Sequence, residues 1–251
     1  MKTVIIKSLV ISLLFVGLAY VVRVLFKTDL YLSDVGGLGS FVTVFGTLYG
    51  IMSAFVVFEV WAQFNRTSSL VDQEALGLER LFRLTLYFRS PRLTKDMIRA
   101  ISAYANKVIE GKFQKLGSGA RNKENGLLFR NISEVIREIK FDDDHDSIVY
   151  QQILDHYGKL GQIRTDRTNQ SLTRLPILLK VFLYVTSGVA IVTFIAMPFA
   201  MFAYQAFVVA GIGFVVAMMI SLVEDLDNPF VGNWNITPEP FQRALDHIKE
   251  D

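Results

Sequence analysis

The chain has 251 residues, of which 51% are hydrophobic and 20% are charged, and its mean hydropathy is +0.36. This composition is typical of an integral membrane protein that also carries a substantial polar part. The chain contains no cysteine, which excludes disulfides, thiol chemistry and Cys-based metal sites. Its net charge of +2 is small, so we expect no nucleic acid among its partners.

The first apolar segment covers residues 4–26 and is interrupted only by Lys7 and Arg23, which lie near its ends, where long side chains reach the lipid headgroups. Residues 1–22 also fit a cleaved signal peptide, because they combine a basic start with an apolar run. The small-residue cleavage pattern around Gly17 and Ala19 is poor. We therefore predict a retained membrane span, followed by a second span over residues 39–58, which carry no charge.

The longest uncharged run covers residues 181–223. A bilayer core of about 30 Å takes about 20 helical residues, so this run is long enough for two crossings. The chain then divides into two spans in residues 1–62, a polar region in 63–175, a transmembrane hairpin in 176–223 and a C-terminal segment in 224–251.

Helical periodicity continues past the second span into the polar region. An apolar stripe through Leu70, Leu78 and Leu81 predicts one long helix that ends at Ser90-Pro91, where Ser is a good N-cap for the next helix. Residues 117–126, rich in Gly, Ser and Asn, are predicted as a loop. Further helices are predicted over 127–140 and from Ser147 towards Leu172.

No segment shows sustained period-two alternation, so no sheet is expected. The predicted fold is all-α, with four transmembrane helices and a helical cytoplasmic bundle inserted between the second and third spans. Basic residues near the ends of the polar region predict that this region and both termini face the cytoplasm. Those residues are Arg66, Arg80, Lys159, Arg164, Arg167 and Arg174.

The second span has two different faces. Its large residues recur at steps of three and four and so share one side of a helix: Phe41, Phe45, Leu48, Met52, Phe55 and Glu59. The opposite side is predicted to be a helix-packing seam, because small residues recur along it: Gly39, Thr43, Gly46, Gly50, Ser53 and Val57. The large stripe faces lipid or neighbouring helices or, repeated around a symmetry axis, forms an apolar constriction with a Glu59 ring at its mouth.

Three carboxylates follow the last span: Glu224, Asp225 and Asp227. Oxygen ligands of this kind bind hard cations, so this cluster is a candidate site for Ca²⁺ or another cation. It is equally suited to pair with Arg164, Arg167 or Arg174, or to end the helix.

Asp142, Asp144 and Asp146 have the spacing of the first ligands of a calcium loop. An EF-hand requires Gly at the sixth position and Glu at the twelfth, and Ser147 and Ile153 stand there. The acidic run is therefore predicted to begin a helix, with Asp146 as its N-cap.

Catalytic motifs are missing from the sequence, which has neither a phosphate-binding Gly-rich loop followed by Lys-Ser/Thr nor a His-Glu-x-x-His run. The three histidines, His145, His156 and His247, are scattered. An enzyme is not predicted.

The segment from Glu224 to Gly232, which contains Asp227-Asn228-Pro229-Phe230, resembles a signature of the bestrophin-like domain family of bacterial membrane proteins. Trp61-Ala62-Gln63-Phe64 is similar to that family's exit from the second span. Bestrophins are pentameric ion channels with an aromatic neck along the second span and an acidic segment that takes part in calcium-dependent gating. The resemblance implies a neck at Phe41, Phe45, Met52 and Phe55 and a gating segment at Glu224, Asp225 and Asp227.

These patterns together predict a homo-oligomer that conducts inorganic ions across a lipid membrane. Glu59 and the acidic segment favour cations, whereas the basic polar region and the bestrophin resemblance favour anions, so selectivity stays open. The competing prediction is a non-conducting membrane scaffold or signalling adaptor that binds a partner through its helical bundle.

Overall fold

The computed structural model describes residues 2–26, 35–110, 123–140 and 144–250. In these ranges the chain forms helices and no strand, which confirms the predicted all-α fold. The helices are α1 (Lys2–Phe26), α2 (Val35–Leu86), α3 (Pro91–Glu110), α4 (Lys123–Arg137), α5 (Asp144–Gln170), α6 (Ile177–Ala196), α7 (Phe202–Asp227) and α8 (Glu239–Glu250).

Four of these helices are long and apolar enough to cross a membrane: α1, α2, α6 and α7. The chain divides into two compact units. The first, called here the span unit, contains Met1–Ala62 and Arg174–Asp227, and the second, called the bundle unit, contains Gln63–Thr173 and Asn228–Asp251.

In the span unit, α1 packs along α7 through small residues. A Cβ added at Gly213 of α7 would lie 2.9 Å from Cδ2 of Phe15 and 3.5 Å from Cα of Ser12. Ser8, Ser12 and Ala19 are the buried residues of α1. Small side chains let two helix backbones approach closely, which is how helices associate in lipid.

Polar contacts hold the turn between α6 and α7 against the end of α1. Arg23 donates hydrogen bonds from Nη1 to the carbonyl oxygen of Phe199 at 2.8 Å and to Oε1 of Gln205 at 3.1 Å. Gln205 in turn donates to the carbonyl oxygen of Ile195 at 2.9 Å. These bonds satisfy carbonyl groups that the end of α6 leaves without helical partners.

The core of the bundle unit is apolar and assembled from the second half of α2 with α3, α4, α5 and α8. Its largest fully buried side chains include Phe82, Met97, Ile132, Leu160 and Phe241. Each helix contributes one apolar face at helical spacing, so burial of these faces is the main force that holds the bundle together.

Three predicted boundaries can be compared with the structure. Helix α2 ends at Leu86 and α3 begins at Pro91, which confirms the break at Ser90-Pro91. Helix α4 begins at Lys123, so the loop prediction was wrong for residues 123–126, whereas residues 117–122 lie outside the described ranges. Helix α5 begins at Asp144, so Asp146 lies within its first turn and is not the N-cap; Asp142 also lies outside the described ranges.

Candidate functional site

The large stripe of α2 is partly exposed in the isolated chain. Leu48 and Phe55 are 59% and 64% exposed, Phe41, Met52 and Glu59 are also exposed, and Phe45 is half-buried. The Phe45 ring stacks between Phe41 and Tyr49, with ring centroids 5.3 and 6.1 Å apart. The six candidate pore residues therefore lie along one helix, but they do not share one environment.

The face of α2 that packs within its own chain is different from the predicted glycine seam. Tyr49 is hydrogen-bonded through its hydroxyl to Oγ of Ser187 on α6, at 2.9 Å, and Ser53, Val56 and Val60 are buried. A Cβ added at Gly39, Gly46 or Gly50 would meet nothing within 4 Å. The glycines of the predicted seam therefore do not pack inside the chain, and of its six residues only Ser53 is buried.

The true seam could have been found in the sequence. Tyr49, Ser53, Val56 and Val60 recur at steps of four and three, so they share a helix face as regularly as the large stripe does. The sequence prediction missed this face because it relied on the glycines and did not consider Tyr49. Tyrosine is well suited to such a seam, since its ring packs and its hydroxyl takes a partner.

The acidic end of α7 makes close contacts with the beginning of α6. Asp227 is 7% exposed and accepts two hydrogen bonds, one at Oδ1 from the backbone N–H of Leu175 and one at Oδ2 from Nζ of Lys180, each at 2.5 Å. Lys180 was not singled out by the sequence patterns. It stands directly before the uncharged run 181–223, and the hairpin returns the chain to it.

Glu224 lies one turn before Asp227 and also has protein partners. The hydroxyl of Tyr184 donates to its Oε1 at 2.9 Å, and Nζ of Lys7 on α1 lies 4.0 Å from its Oε2. Asp225 has an interaction of its own. Glu224 and Asp227 are thus engaged by groups from α1 and from the beginning of α6.

The carboxylates at the end of α7 do not fit a cation site in this arrangement. Both oxygens of Asp227 already receive donors, one of which is itself a cation. Among the described residues, no three His, Asp or Glu side chains are grouped so that they could hold a metal ion together. Calcium binding at Glu224, Asp225 and Asp227 stays a prediction.

The bundle unit contains a buried polar triad that sequence reasoning missed. Glu74 of α2 accepts a hydrogen bond at Oε2 from Nε of Arg167 at 2.5 Å and a second, at Oε1, from the Tyr104 hydroxyl. All three side chains are buried. Arg167, proposed above as a partner of the acidic segment, is thus committed to Glu74.

Burial raises the pKa of the Tyr104 hydroxyl, and the Glu74 carboxylate raises it further. For Arg167, burial acts to lower the pKa of the guanidinium, but the Glu74 carboxylate outweighs it and the pKa lies above its ordinary value. The triad is therefore a neutral tyrosine and an ion pair that keeps its charges. In sequence, the only signal was an acidic residue within the apolar stripe of α2.

Comparisons with known proteins agree with this architecture. The family profile described as the Bestrophin-like domain matches residues 9–241. Crystal structures of a bacterial bestrophin homologue from Klebsiella pneumoniae are similar in fold. One superposes with a TM-score of 0.71 at 13% sequence identity, covering 98% of this chain and 99% of the homologue.

A second structure of that homologue gives a TM-score of 0.70 at 15% identity, with 98% of each chain covered. The comparison with curated proteins found no match. Four apolar helices together with the family match identify a multi-pass membrane protein. The chain belongs to the family of proteins with a Bestrophin-like domain.

Proposed function

We propose that this protein is an ion channel in which several copies of the chain surround an apolar pore along α2. The observation that carries the proposal is the family match over residues 9–241, because bestrophins, which the chain resembles, line their neck with the second span. Large apolar side chains along α2, such as Leu48 and Phe55, are exposed and so available to other copies of the chain. Exposure alone does not select α2, because the apolar part of α1 is buried to the same small extent.

The chain-internal seam suggests which face of α2 lines the pore. If α2 is the innermost helix of a ring, the face towards the axis lies opposite the residues that pack on its own subunit. At about 100° per residue, the positions opposite Ser53, Val56 and Val60 are Ile51 and Phe58, both exposed. Leu48 and Phe55 lie beside them. The proposed pore wall therefore contains Leu48 and Phe55, which belong to the large stripe, together with Ile51 and Phe58, which do not.

Phe41 and Glu59 lie at the edge of this face, and Met52 and Phe45 lie farther round towards the seam. In the proposal, the large apolar side chains of the face narrow the pore and hold water out of it, which is how an apolar constriction gates, and Met52 and Phe45 support that face from the side. Glu59 would place a ring of carboxylates at one mouth. We propose a pentamer, by resemblance, in the bacterial inner membrane, with both termini and the helical bundle in the cytoplasm.

The absence of cysteine from the chain permits a direct test. Single cysteines are introduced at positions 48, 51, 55 and 58, and the purified variants are reconstituted into liposomes. A charged, water-soluble thiol reagent should change chloride or sodium flux at these positions, because only side chains on a water path react. Val56→Cys and Phe207→Cys serve as controls, since Val56 is buried in the seam and Phe207 is an exposed apolar residue on α7.

The two fluxes also decide selectivity. Glu59→Gln should lower sodium flux relative to chloride flux if the carboxylate ring selects cations, and should leave the ratio unchanged if the basic part of the protein selects anions. Reconstituted protein that passes neither ion, with no reactive position on α2, would contradict the channel. The non-conducting scaffold would then be the better description.

A further inference from the structure

The acidic end of α7 carries a buried charge that is neutralised within the chain. Asp227 is almost fully buried at the end of an apolar helix. An ionised carboxylate in such a place is costly unless it is paired and hydrogen-bonded. The groups that contact Asp227 therefore show how its charge is compensated.

Lys180 supplies the positive charge. Its ammonium lies 2.5 Å from Oδ2 of Asp227, and its side chain is 26% exposed. The two residues bound the transmembrane hairpin at opposite ends of the sequence run, and the antiparallel arrangement of α6 and α7 brings them together. The ion pair thus links the beginning of α6 to the end of α7, at the end of the hairpin opposite its turn.

The other oxygen of Asp227 binds the backbone just before α6. The N-cap position of α6 is Pro176, which provides no side-chain hydrogen bond to the helix. Oδ1 of Asp227 accepts the N–H of Leu175 just before it. A carboxylate at this end of a helix is also favoured by the helix dipole.

A divalent metal ion would need the same oxygens. Calcium takes six to eight oxygen ligands at about 2.3–2.6 Å, and here an ammonium and an amide already lie at that distance from the two oxygens of Asp227. We infer that the Lys180 ammonium is the fixed cation of this acidic segment and that it holds the end of α7 against the start of α6 in place of a divalent metal ion.

The test measures the thermal midpoint of the purified protein, so its result does not depend on whether the protein conducts ions. Wild-type protein should unfold at the same temperature, within about 1 °C, in calcium and in a chelator, because no ligand-linked stabilisation is present. Lys180→Met should lower the midpoint by on the order of 5 °C, because it leaves Asp227 charged and buried. Lys180→Arg should retain most of the stability.

The matched control is Lys7→Met, which removes the same type of side chain from the same unit. Lys7 lies 4.0 Å from Glu224 and both side chains are about half exposed, so this change should alter the midpoint little. The double variant Lys180→Met with Asp227→Asn should be more stable than Lys180→Met alone, since it removes the unpaired charge.

Two results would overturn the inference. One is a wild-type midpoint that rises by several degrees when calcium replaces the chelator. The other is a Lys180→Met variant as stable as the wild type. If Lys180→Met yields no folded protein, the double variant decides: recovery of folded protein supports the fixed cation, and failure to recover contradicts it.

Discussion

The span unit and the bundle unit place their side chains in opposite ways. In the bundle unit, large apolar residues such as Leu78 and Phe82 are fully buried and form its core. In the span unit, large apolar residues such as Leu13 and Phe207 point outwards, whereas Ser12, Ser187 and Gly213 lie inside. Helices therefore pack through large apolar side chains in the bundle unit and through small side chains in the span unit.

The difference shows where the stabilising energy of each unit originates. Water drives apolar faces together in the bundle, so the volume buried in its core sets its stability. Lipid tails are as apolar as leucine, so in the spans close backbone approach and a few hydrogen bonds replace that driving force. The two units also treat charge differently: the bundle buries an ion pair completely, whereas the spans keep theirs at the open end of a hairpin.

The largest expected effect is at the buried triad of the bundle. Arg167→Met removes the guanidinium that pairs with Glu74 and leaves a carboxylate with no exposed surface. Breaking a buried pair from one side costs about 3–5 kcal/mol. We expect a loss of this size in the free energy of unfolding, measured with denaturant on purified protein.

A double variant separates this effect from a general packing defect. Arg167→Met combined with Glu74→Met removes both charges and fills the space with apolar atoms, so it should cost less than Arg167→Met alone. Equal losses for the single and double variants would show that the triad acts through its shape and not through its charge.

The second prediction compares one substitution in the two units. Leu78→Ala in the bundle leaves a cavity in a close-packed core and should cost about 2–5 kcal/mol. Leu178→Ala in the spans changes a side chain that is 76% exposed and should alter stability by less than about 0.5 kcal/mol. Unfolding in detergent measures both. Similar losses of stability for the two variants would contradict the contrast between the two units, because they would place Leu178 in a protein interior.

The third prediction tests close approach in the spans. Gly213→Ala places a methyl group 2.9 Å from Cδ2 of Phe15 and 3.5 Å from the Cα of Ser12, so the Phe15 ring or the helix that carries it must shift, at a cost of about 1–2 kcal/mol. Gly211→Ala, two residues earlier, meets nothing within 4 Å and should cost less than about 0.5 kcal/mol. If the thermal midpoints of the two variants are equal, small residues do not hold α1 against α7.

The smallest effect concerns pH and belongs to the bundle. Burial lowers the pKa of the His156 imidazole, against the opposing effect of its hydrogen bond to the Gly77 carbonyl at 2.9 Å, and Arg80 and Lys159 lower it further. The unfolded chain therefore takes up a proton on this residue at a higher pH than the folded chain does. The contribution of neutral His156 to stability should be fully present above the ordinary histidine pKa of about 6.5, and it should fall as the pH drops below that value.

The check is a pH series of unfolding midpoints for wild type and His156→Gln. The glutamine side chain can still donate to the Gly77 carbonyl but does not titrate, so the variant should lose less stability than the wild type on acidification. The same slope in both proteins would remove His156 as a source of the pH dependence.

Sequence periodicity anticipated most of the fold. Uncharged runs of sufficient length gave the spans, and the apolar stripe of α2 gave its continuation to Leu86. Local signals were weaker at helix starts, where Lys123 and Asp144 begin helices earlier than expected. Helix ends fray and their signals overlap with those of loops, so boundaries are less well determined than the helices themselves.

The candidate sites were less accessible to sequence reasoning. The large stripe of α2 was visible in the sequence, whereas the seam through Tyr49 was not considered. Periodicity shows which residues share a helix face, but it does not show which face packs on another helix. Glu74 and Arg167 are far apart in the chain, as are Lys180 and Asp227. Such pairs cannot be read from local spacing.

The sequence by itself determined that the chain is helical, that it crosses a membrane and where its polar region lies, because these properties follow from the length and period of apolar runs in contact with a solvent. Only the tertiary structure decided which charges neutralise each other and which face of α2 remains free. Those choices depend on distances of a few ångströms between residues that are remote in sequence, since the energy of a buried charge is set by its nearest partner.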